Sequence, residues 1–396
     1  MNPALTLKPE KEHLLESRHP WIFSGALVMP ETPVEPGSLV NIVDAKGKIL
    51  ATGTYSAQSN IAVRVFEFSE AAIDEKWLKD KIQSAHERRL LLGYGPGTDT
   101  TGYRVVFGES DGLPGLVVDR YSGVIVVQLT TAGADKLRDI IIKSLIELFK
   151  PSAIFERSDI ANRKEEGIEE RTGTLYGDYS LGDRVEFEEN GIKFQAHPIS
   201  GQKTGFYLDQ KDTRKAIREI AEDKDILNLF SYTGSSGVAA LMGKARSVLN
   251  IDSSRWALKQ CHELARLNGI ETNRIKTEES DVFQWLNSQS GDKFDMVTMD
   301  PPAIIKSRND IDEGRKAYHF LNRAAMRLVR NGGIFVTSSC SQFFTQEDFA
   351  TTLRRASVQN GLTLNVLKVI HQSPDHPISI YFPESFYLKS FVCQVG

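Results

Sequence analysis

The chain has 396 residues, more than one ordinary domain uses, so two or three domains with sizeable cores are expected. With 52 acidic against 48 basic residues it is close to neutral, which excludes a general polycationic character and leaves any nucleic-acid partner to local basic patches. Cys261, Cys340 and Cys393 lie far apart with no CxxC spacing, and no apolar run reaches signal-peptide or bilayer length, so a disulfide framework, a zinc site and a membrane span are excluded and a soluble, cytoplasmic protein is expected.

Residues 1 to about 70 offer short β-type runs, SLVNIVDA and IAVRVFEF, punctuated by Pro30, Pro33, Pro36, Gly37, Gly47 and Gly53, the pattern of a small barrel or sandwich. The segment IDEKWLKDKIQSAHERRLLLG interleaves charged and apolar residues at helical spacing. GLVVDRY and GVIVVQLT around Ser122-Gly123 predict a hairpin, KLRDIIIKSLIELF an amphipathic helix, and LYGDYS through IKFQAHP turn-rich β structure, together a mixed α+β middle segment.

From about residue 215 apolar strands alternate with helical patterns. DILNLFS is followed by GVAALMGK, SVLNID by WALKQCHELARLNG, FDMVTMD by a long helix, and GIFVTSSCS closes the series. This alternation implies parallel strands with crossover helices and a ligand crevice beyond the carboxyl ends of the strands. Asp252, Asp300 and Cys340 each fall at a predicted strand end, and Tyr232, Thr233 and Gly234 form the loop after another.

The loop SYTGSSG reads either as a tight strand-to-helix turn or as backbone brought close to a cofactor by Gly234 and Gly237. Asp252, roughly 20 residues on, stands where an acid accepts hydrogen bonds from ribose hydroxyls. It can equally cap a helix, although Ser253 and Ser254 are available for that, and Asp281 in EESDVFQWL is a second N-cap candidate. A glycine loop with acids after successive strands, and no GxGxxG, describes an adenosine site without a pyrophosphate clamp, which suits S-adenosylmethionine better than NAD. Cys340 borders the same crevice as Asp300. Carbon 5 of cytosine is a poor nucleophile until a thiolate adds to carbon 6, so a cysteine beside that cofactor is what cytosine-5 methylation demands.

The Asp300-Pro301-Pro302 stretch resembles motif IV of class I methyltransferases. RHPWIFSGA, GESDGLPGLVVDRY, ERSDIANRKEEG, QKTGFYLDQKDTR, LFSYTG, MDPPA, SSCS and DHPISIYFPESFYLKSF extend the resemblance over nearly the whole chain. The sequence is similar to the bacterial large-subunit (23S) ribosomal RNA cytosine-5 methyltransferases. That resemblance implies a multidomain α/β protein: an N-terminal PUA-like β-barrel (1–70), a central small α+β domain (71–185) and a C-terminal Rossmann-like class I methyltransferase (186–396). It implies Cys340 as nucleophile, Asp300 holding the cytosine edge, and a cofactor site of Phe230, Tyr232, Gly234, Asp252, Ser253, Asp281 and Asp300, closed by Lys203, Gln210 and Arg214. Ribosomal RNA of the large subunit is the implied partner, with Arg18 and His19 of the PUA-like domain as phosphate contacts, and a homodimer is compatible with the resemblance. Arg157, Arg163 and Lys164, and Lys306, Arg308, Arg315 and Lys316, form two local basic clusters that read either as RNA contacts or as solvated charge, the second standing beside the crevice. Trp21 could stack on a base or be buried in the barrel.

The chain departs from related patterns in three places. Ser235 stands where the family commonly has a second glycine. Motif IV carries no second cysteine, which excludes product release by that route. Ala303 stands where enzymes that methylate exocyclic amines place an aromatic ring. A guanine methyltransferase on the same scaffold would need no nucleophile, and a non-catalytic ribosome-assembly factor would need neither Asp300 nor Cys340.

Overall fold

The computed structural model describes residues 2–28, 32–178, 183–291 and 293–396. They form two compact units, Met1–Glu188 with Gln195–Leu208 and Pro374–Ser385, and Glu189–Phe194 with Asp209–Ser373 and Phe386–Gly396. Among the described residues no helix is long and apolar enough to cross a membrane.

The first unit contains two five-stranded sheets. One runs Ala4–Thr6, Leu39–Val43, Ile49–Tyr55, Ile61–Glu67 and Trp21–Phe23 in spatial order, around a core that includes Leu7, Ile22, Val40, Ile42, Val63 and Val65. Beyond its two edge strands the Lys8 N–H donates to the Ala26 carbonyl and the Val28 N–H to the Thr6 carbonyl, both at 2.9 Å, so the sheet closes on itself as the short, turn-rich runs predict. Pro30 lies outside the described residues. Trp21 is half-buried and outside the barrel core: its ring meets Phe382 edge-on at 4.7 Å and its Nε1–H donates to Glu109 at 2.9 Å, both partners outside the five barrel strands.

The second sheet runs Arg171–Gly177, Ala153–Ser158, Val124–Leu129, Leu116–Tyr121 and Gly102–Phe107. The helix Glu75–Leu91 contributes Leu78, Ile82, Ala85 and Arg89 to the buried interior at three- and four-residue intervals. The expected hairpin turns at Ser122, which adopts φ 53°. Buried contacts join the first sheet to helical segments beside the second: the Arg64 guanidinium pairs with Glu166 at 2.7 Å, and a Cβ on Gly133 would sit 2.1 Å from Thr54 Oγ1.

Two of the expected RNA contacts are structural instead. Arg163 is 0 % exposed, and its guanidinium donates to the carbonyls of Glu169 and Leu129 and to Asp135. Arg157 is 9 % exposed and donates to the carbonyls of Pro198 and Gly201 and to Asp159. Guanidinium groups committed to buried carbonyls are not presented to a phosphate. Lys164 is exposed and pairs with Glu170 at 3.1 Å. Arg18 is exposed, its guanidinium 6.0 Å from the Tyr381 ring, and His19 bonds Glu384 at 3.2 Å.

The second unit carries the alternation read from the sequence. In chain order its elements are α1 (Lys211–Ile220), β1 (Asp225–Leu229), α2 (Ser235–Met242), β2 (Ser247–Asp252), α3 (Arg255–Leu267), β3 (Ile275–Glu279), α4 (Val282–Ser288), β4 (Phe294–Met299), α5 (Ile311–Met326), β5 (Val329–Ser339), α6 (Gln346–Asn360), β6 (Leu364–His371) and β7 (Lys389–Val395). The seven-stranded sheet has the order β3-β2-β1-β4-β5-β7-β6, with the first five strands parallel and β7 antiparallel to both neighbours. The chain moves outward from β1 to β3 and then restarts at β4 on the other side. The switch point, where a ligand crevice opens, is therefore between β1 and β4.

Candidate active site

The loop leaving β1 is strained. Phe230 has φ 55°, Tyr232 φ 47° and Gly234 φ 76°, three left-handed residues within five positions. For the two aromatic residues this costs on the order of 1–3 kcal/mol each, and such strain collects at functional sites. Local bonds hold the loop: the Asp252 carboxylate accepts the Tyr232 N–H at 2.8 Å, and the Ser231 carbonyl accepts the Gly234 N–H at 2.8 Å. Gly234 cannot be replaced freely, because a Cβ there would meet Cys261 Sγ at 2.6 Å. Gly237 has a different role from the one expected. It lies inside α2, where a Cβ would meet Asn250 Oδ1 at 2.8 Å, so its missing side chain lets α2 pack on β2 and does not shape the loop. Ser235 simply begins α2, its predecessor Gly234 being the left-handed residue at the helix entry.

Asp252 ends β2 and does not cap α3; Ser254 does, accepting the Ala257 N–H at 3.2 Å. Besides Tyr232, the Asp252 carboxylate accepts the Ser254 N–H at 2.9 Å, one bond on each oxygen. A carboxylate has about four acceptor sites, so capacity for ribose hydroxyls remains. Ser253 is exposed beside it. Asp281 is the N-cap of α4, accepting the Gln284 N–H at 2.9 Å through one oxygen. Phe230 meets Phe283 edge-on at 6.2 Å.

Asp300 follows β4 and Cys340 follows β5, and the pairing of Met299 with Thr337 puts the two on neighbouring strand ends. Gln210 Nε2 donates to Asp300 at 2.8 Å, while Gln210 Oε1 and Thr233 Oγ1 are buried without a hydrogen-bond partner among the described residues. Orphaned polar atoms of this kind beside an acid-lined loop fit a polar ligand. A donor and acceptor set of this kind fits S-adenosylmethionine: Asp252 and Asp281 have acceptor capacity left for hydroxyl or amine donors, and the Gly234 loop would allow close backbone approach. Arg214 is placed otherwise than expected. Its Nε and Nη2 are held by Glu189 at 2.7 and 2.6 Å in a buried pair that fastens α1 to the 189–194 segment. Lys203 belongs to the first unit, its ammonium 4.5 Å over the Tyr207 ring.

Of the three cysteines, Cys340 alone is half-exposed; Cys261 and Cys393 are buried. Burial pushes the Cys261 thiol far above its ordinary range and that of Cys393 up to about 12, so neither is a nucleophile at neutral pH. The serines around Cys340 are scaffolding. Ser339 Oγ donates to Tyr318 Oη at 2.9 Å, Tyr318 Oη and Ser341 Oγ are 3.0 Å apart, and the Ile305 N–H donates to Ser341 Oγ at 3.1 Å. This chain ties the loop after β4 to the loop after β5. Burial raises the Tyr318 phenol to about 12, so it stays protonated. Below the Cys340 loop lies Lys389 at the start of β7, 2 % exposed, donating to the carbonyls of Ser341 and Phe344, each at 2.7 Å. Sequence reasoning missed it, although YLKSF is part of a segment that carries the resemblance.

In the loop after β4, Lys306 and Arg308 are exposed and have no ion-pair partner among the described residues. Arg315 and Lys316 are instead paired, with Asp348 at 2.5 Å and Glu313 at 2.6 Å.

A PUA-like domain family matches residues 5–68, and an S-adenosylmethionine-dependent methyltransferase family matches residues 176–365. The ribosomal RNA large subunit methyltransferase I of Klebsiella pneumoniae (strain 342) is 38 % identical over 99 % of this chain and 98 % of its own length. The protein of the same name from Aliivibrio fischeri (strain MJ11) is 38 % identical over the full length of both chains. Among solved structures, a SAM-dependent methyltransferase candidate from Streptococcus mutans superposes with a TM-score of 0.82 at 19 % identity, covering 99 % of this chain and 100 % of its own. A methyltransferase candidate complexed with SAH superposes with a TM-score of 0.84 at 20 % identity over the same shares.

Proposed function

Because the chain belongs to the ribosomal RNA large subunit methyltransferase I family and is an S-adenosylmethionine-dependent methyltransferase of large-subunit rRNA, we propose that it methylates carbon 5 of a cytosine through a covalent Cys340 adduct. The observation that carries this reading is the half-exposed Cys340 thiol on the strand end next to Asp300, with the other two cysteines buried.

Cys340 Sγ adds as thiolate to carbon 6 of the cytosine, forming the C–S bond while the 5,6 π pair becomes nucleophilic at carbon 5. When bound, S-adenosylmethionine would supply the methyl group to carbon 5, its methyl–sulfur bond breaking so that the sulfonium leaves as the neutral thioether of S-adenosylhomocysteine. The carbon 5 proton then passes to a base reached from the crevice, Asp300 or a water molecule; its C–H electron pair re-forms the 5,6 double bond and the C–S electrons return to Cys340. Asp300, steadied by Gln210, holds the cytosine edge during these steps. The thiolate must persist beside the crevice, since a free thiol with a pKa of about 8.5 is mostly protonated at neutral pH. Nucleoside mass spectrometry of large-subunit RNA, after incubation with the protein and labelled cofactor, tests the reading directly. It expects label in 5-methylcytidine; label in a methylated guanosine would replace it with the guanine alternative.

Two further results are expected. Asp252→Ala removes the ribose acceptor and releases the Tyr232 and Ser254 N–H groups, so cofactor affinity should fall by about 1.5–3 kcal/mol. Calorimetry that finds unchanged affinity rejects the assignment. Charge reversal of the exposed pair, Lys306→Glu with Arg308→Glu, should weaken RNA binding and flatten its salt dependence by roughly two phosphate contacts. An unaltered slope of log affinity against log salt would remove both residues from the RNA surface.

A further inference from the structure

A buried lysine without a bonded carboxylate is costly, because desolvation of an unpaired ammonium outweighs what neutral carbonyls return. Lys389 is such a residue: 2 % exposed, bonded to the carbonyls of Ser341 and Phe344. Both carbonyls belong to the loop that begins at Cys340, and Lys389 pairs directly across the β5–β7 ladder with Ser339, the residue before it. The charge is thus held under the nucleophile by two bonds and one strand register. A loop that needed only a strap could use a neutral donor.

We propose that Lys389 is a positioning residue that fixes the Cys340 loop and, by its buried positive charge, favours the Cys340 thiolate. This rests on the reading of Cys340 as the nucleophile. An opposite charge close by typically moves a pKa by about 1–3 units towards the charged form. The other ionisable groups around Lys389 do not replace it. Tyr318 on α5 stays neutral, and Asp348 on α6 is an anion already engaged by Thr345 and Arg315. His371 on β6 pairs with Lys389 across the ladder and bonds the Leu388 carbonyl at 3.4 Å; Asp300 stands at the neighbouring strand end, bonded to Gln210. Burial lowers the Lys389 ammonium to about 8, and the attraction of Cys340 and Asp348 opposes that shift. The charge is therefore present below pH 8 and lost above it, so the assistance to the thiolate should fade on the alkaline side.

The test is the pH dependence of Cys340 alkylation by iodoacetamide, with the modified peptide identified by mass spectrometry, in the full-length protein. In the wild type the midpoint should lie below the free-thiol value of about 8.5. Lys389→Gln keeps donors for the two carbonyls and removes the charge; its midpoint should rise by about one unit or more, with kcat falling about tenfold and KM for RNA unchanged. Lys389→Arg, which keeps its charge at every accessible pH, should recover much of kcat and lose the alkaline decline. Cofactor affinity unchanged in each variant confirms folding. A folded Lys389→Gln protein with the wild-type midpoint overturns the proposal, and so does a wild-type midpoint at or above the free-thiol value, a result that needs no variant to fold. Failure of the wild type to form an adduct with RNA containing 5-fluorocytidine would instead overturn the cytosine reading, whatever the alkylation midpoint.

Discussion

Cys340→Ala is expected to abolish methyl transfer, by a factor on the order of 10³ or more, while leaving cofactor affinity unchanged. The first expectation follows from the chemistry, since without a thiol at carbon 6 no electron pair reaches carbon 5. The second follows from placement: Asp252 and Asp281, the acids proposed for the cofactor, end β2 and cap α4, whereas Cys340 follows β5. With 5-fluorocytidine in the target RNA the wild type should form a complex that survives denaturing electrophoresis, because fluorine cannot leave as a proton, and Cys340→Ala should form none. Cys261→Ala and Cys393→Ala should retain activity, with packing losses only, as both side chains are buried. Full methylation by Cys340→Ala would remove the covalent mechanism.

Arg89→Met is expected to destabilise the first unit by about 3 kcal/mol, the lower end of the usual cost of removing one partner of a buried ion pair, because Asp111 keeps its bond from Arg88. The Arg89 side chain is 1 % exposed and that of Asp111 is 0 % exposed. Arg89 donates to both Asp111 oxygens at 2.7 Å and to the carbonyls of Arg104, Ala85 and Asp375. Loss of the guanidinium leaves the buried Asp111 carboxylate with the Phe107 N–H and the half-exposed Arg88 guanidinium at 2.8 Å as its remaining donors. Denaturant unfolding followed by a probe in the first unit measures the loss, and Arg89→Met with Asp111→Asn should recover part of it. Burial alone would raise the Asp111 carboxyl, but the bonds from Arg89 and Arg88 outweigh it and hold the carboxyl below its ordinary value. A depressed folded-state value means the pair contributes fully above the unfolded value of about 3.9 and is lost as pH falls through the lower folded one. In Arg89→Met that acid limb should shrink.

The alternation of the second unit was legible because parallel strands buried on both faces read as continuous apolar runs and their crossover helices carry a different period. Asp252, Asp300 and Cys340 were legible for a related reason: a polar residue that halts an apolar run marks a strand end, and in this topology strand ends share a crevice. The Asp281 and Ser254 caps were equally local, each serving an N–H three residues on. The family resemblance added roles to these positions, which spacing alone left open.

Charge was not legible in this way. Arg163 reads as part of a basic cluster in ERSDIANRKEEG, yet its partners include the Leu129 carbonyl and Asp135, brought in from another part of the chain. Arg89 reads as one charged residue among several on an amphipathic helix, and Asp111 with the Asp375 carbonyl turns it into the buried centre of a network. Gly237 reads as a loop glycine and proves to be a helix-on-strand contact, because the strand it meets lies in β2. Lys389 shows the same limit at the candidate nucleophile, its acceptors Ser341 and Phe344 standing 48 and 45 residues earlier. Periodicity, capping and strand ends depend on neighbours within a turn or a strand, so the amino-acid sequence by itself determined the methyltransferase scaffold and the residues at its strand ends. Whether a charge faces water, a carboxylate or a buried carbonyl depends on groups distant in the chain, and only the tertiary structure decided that.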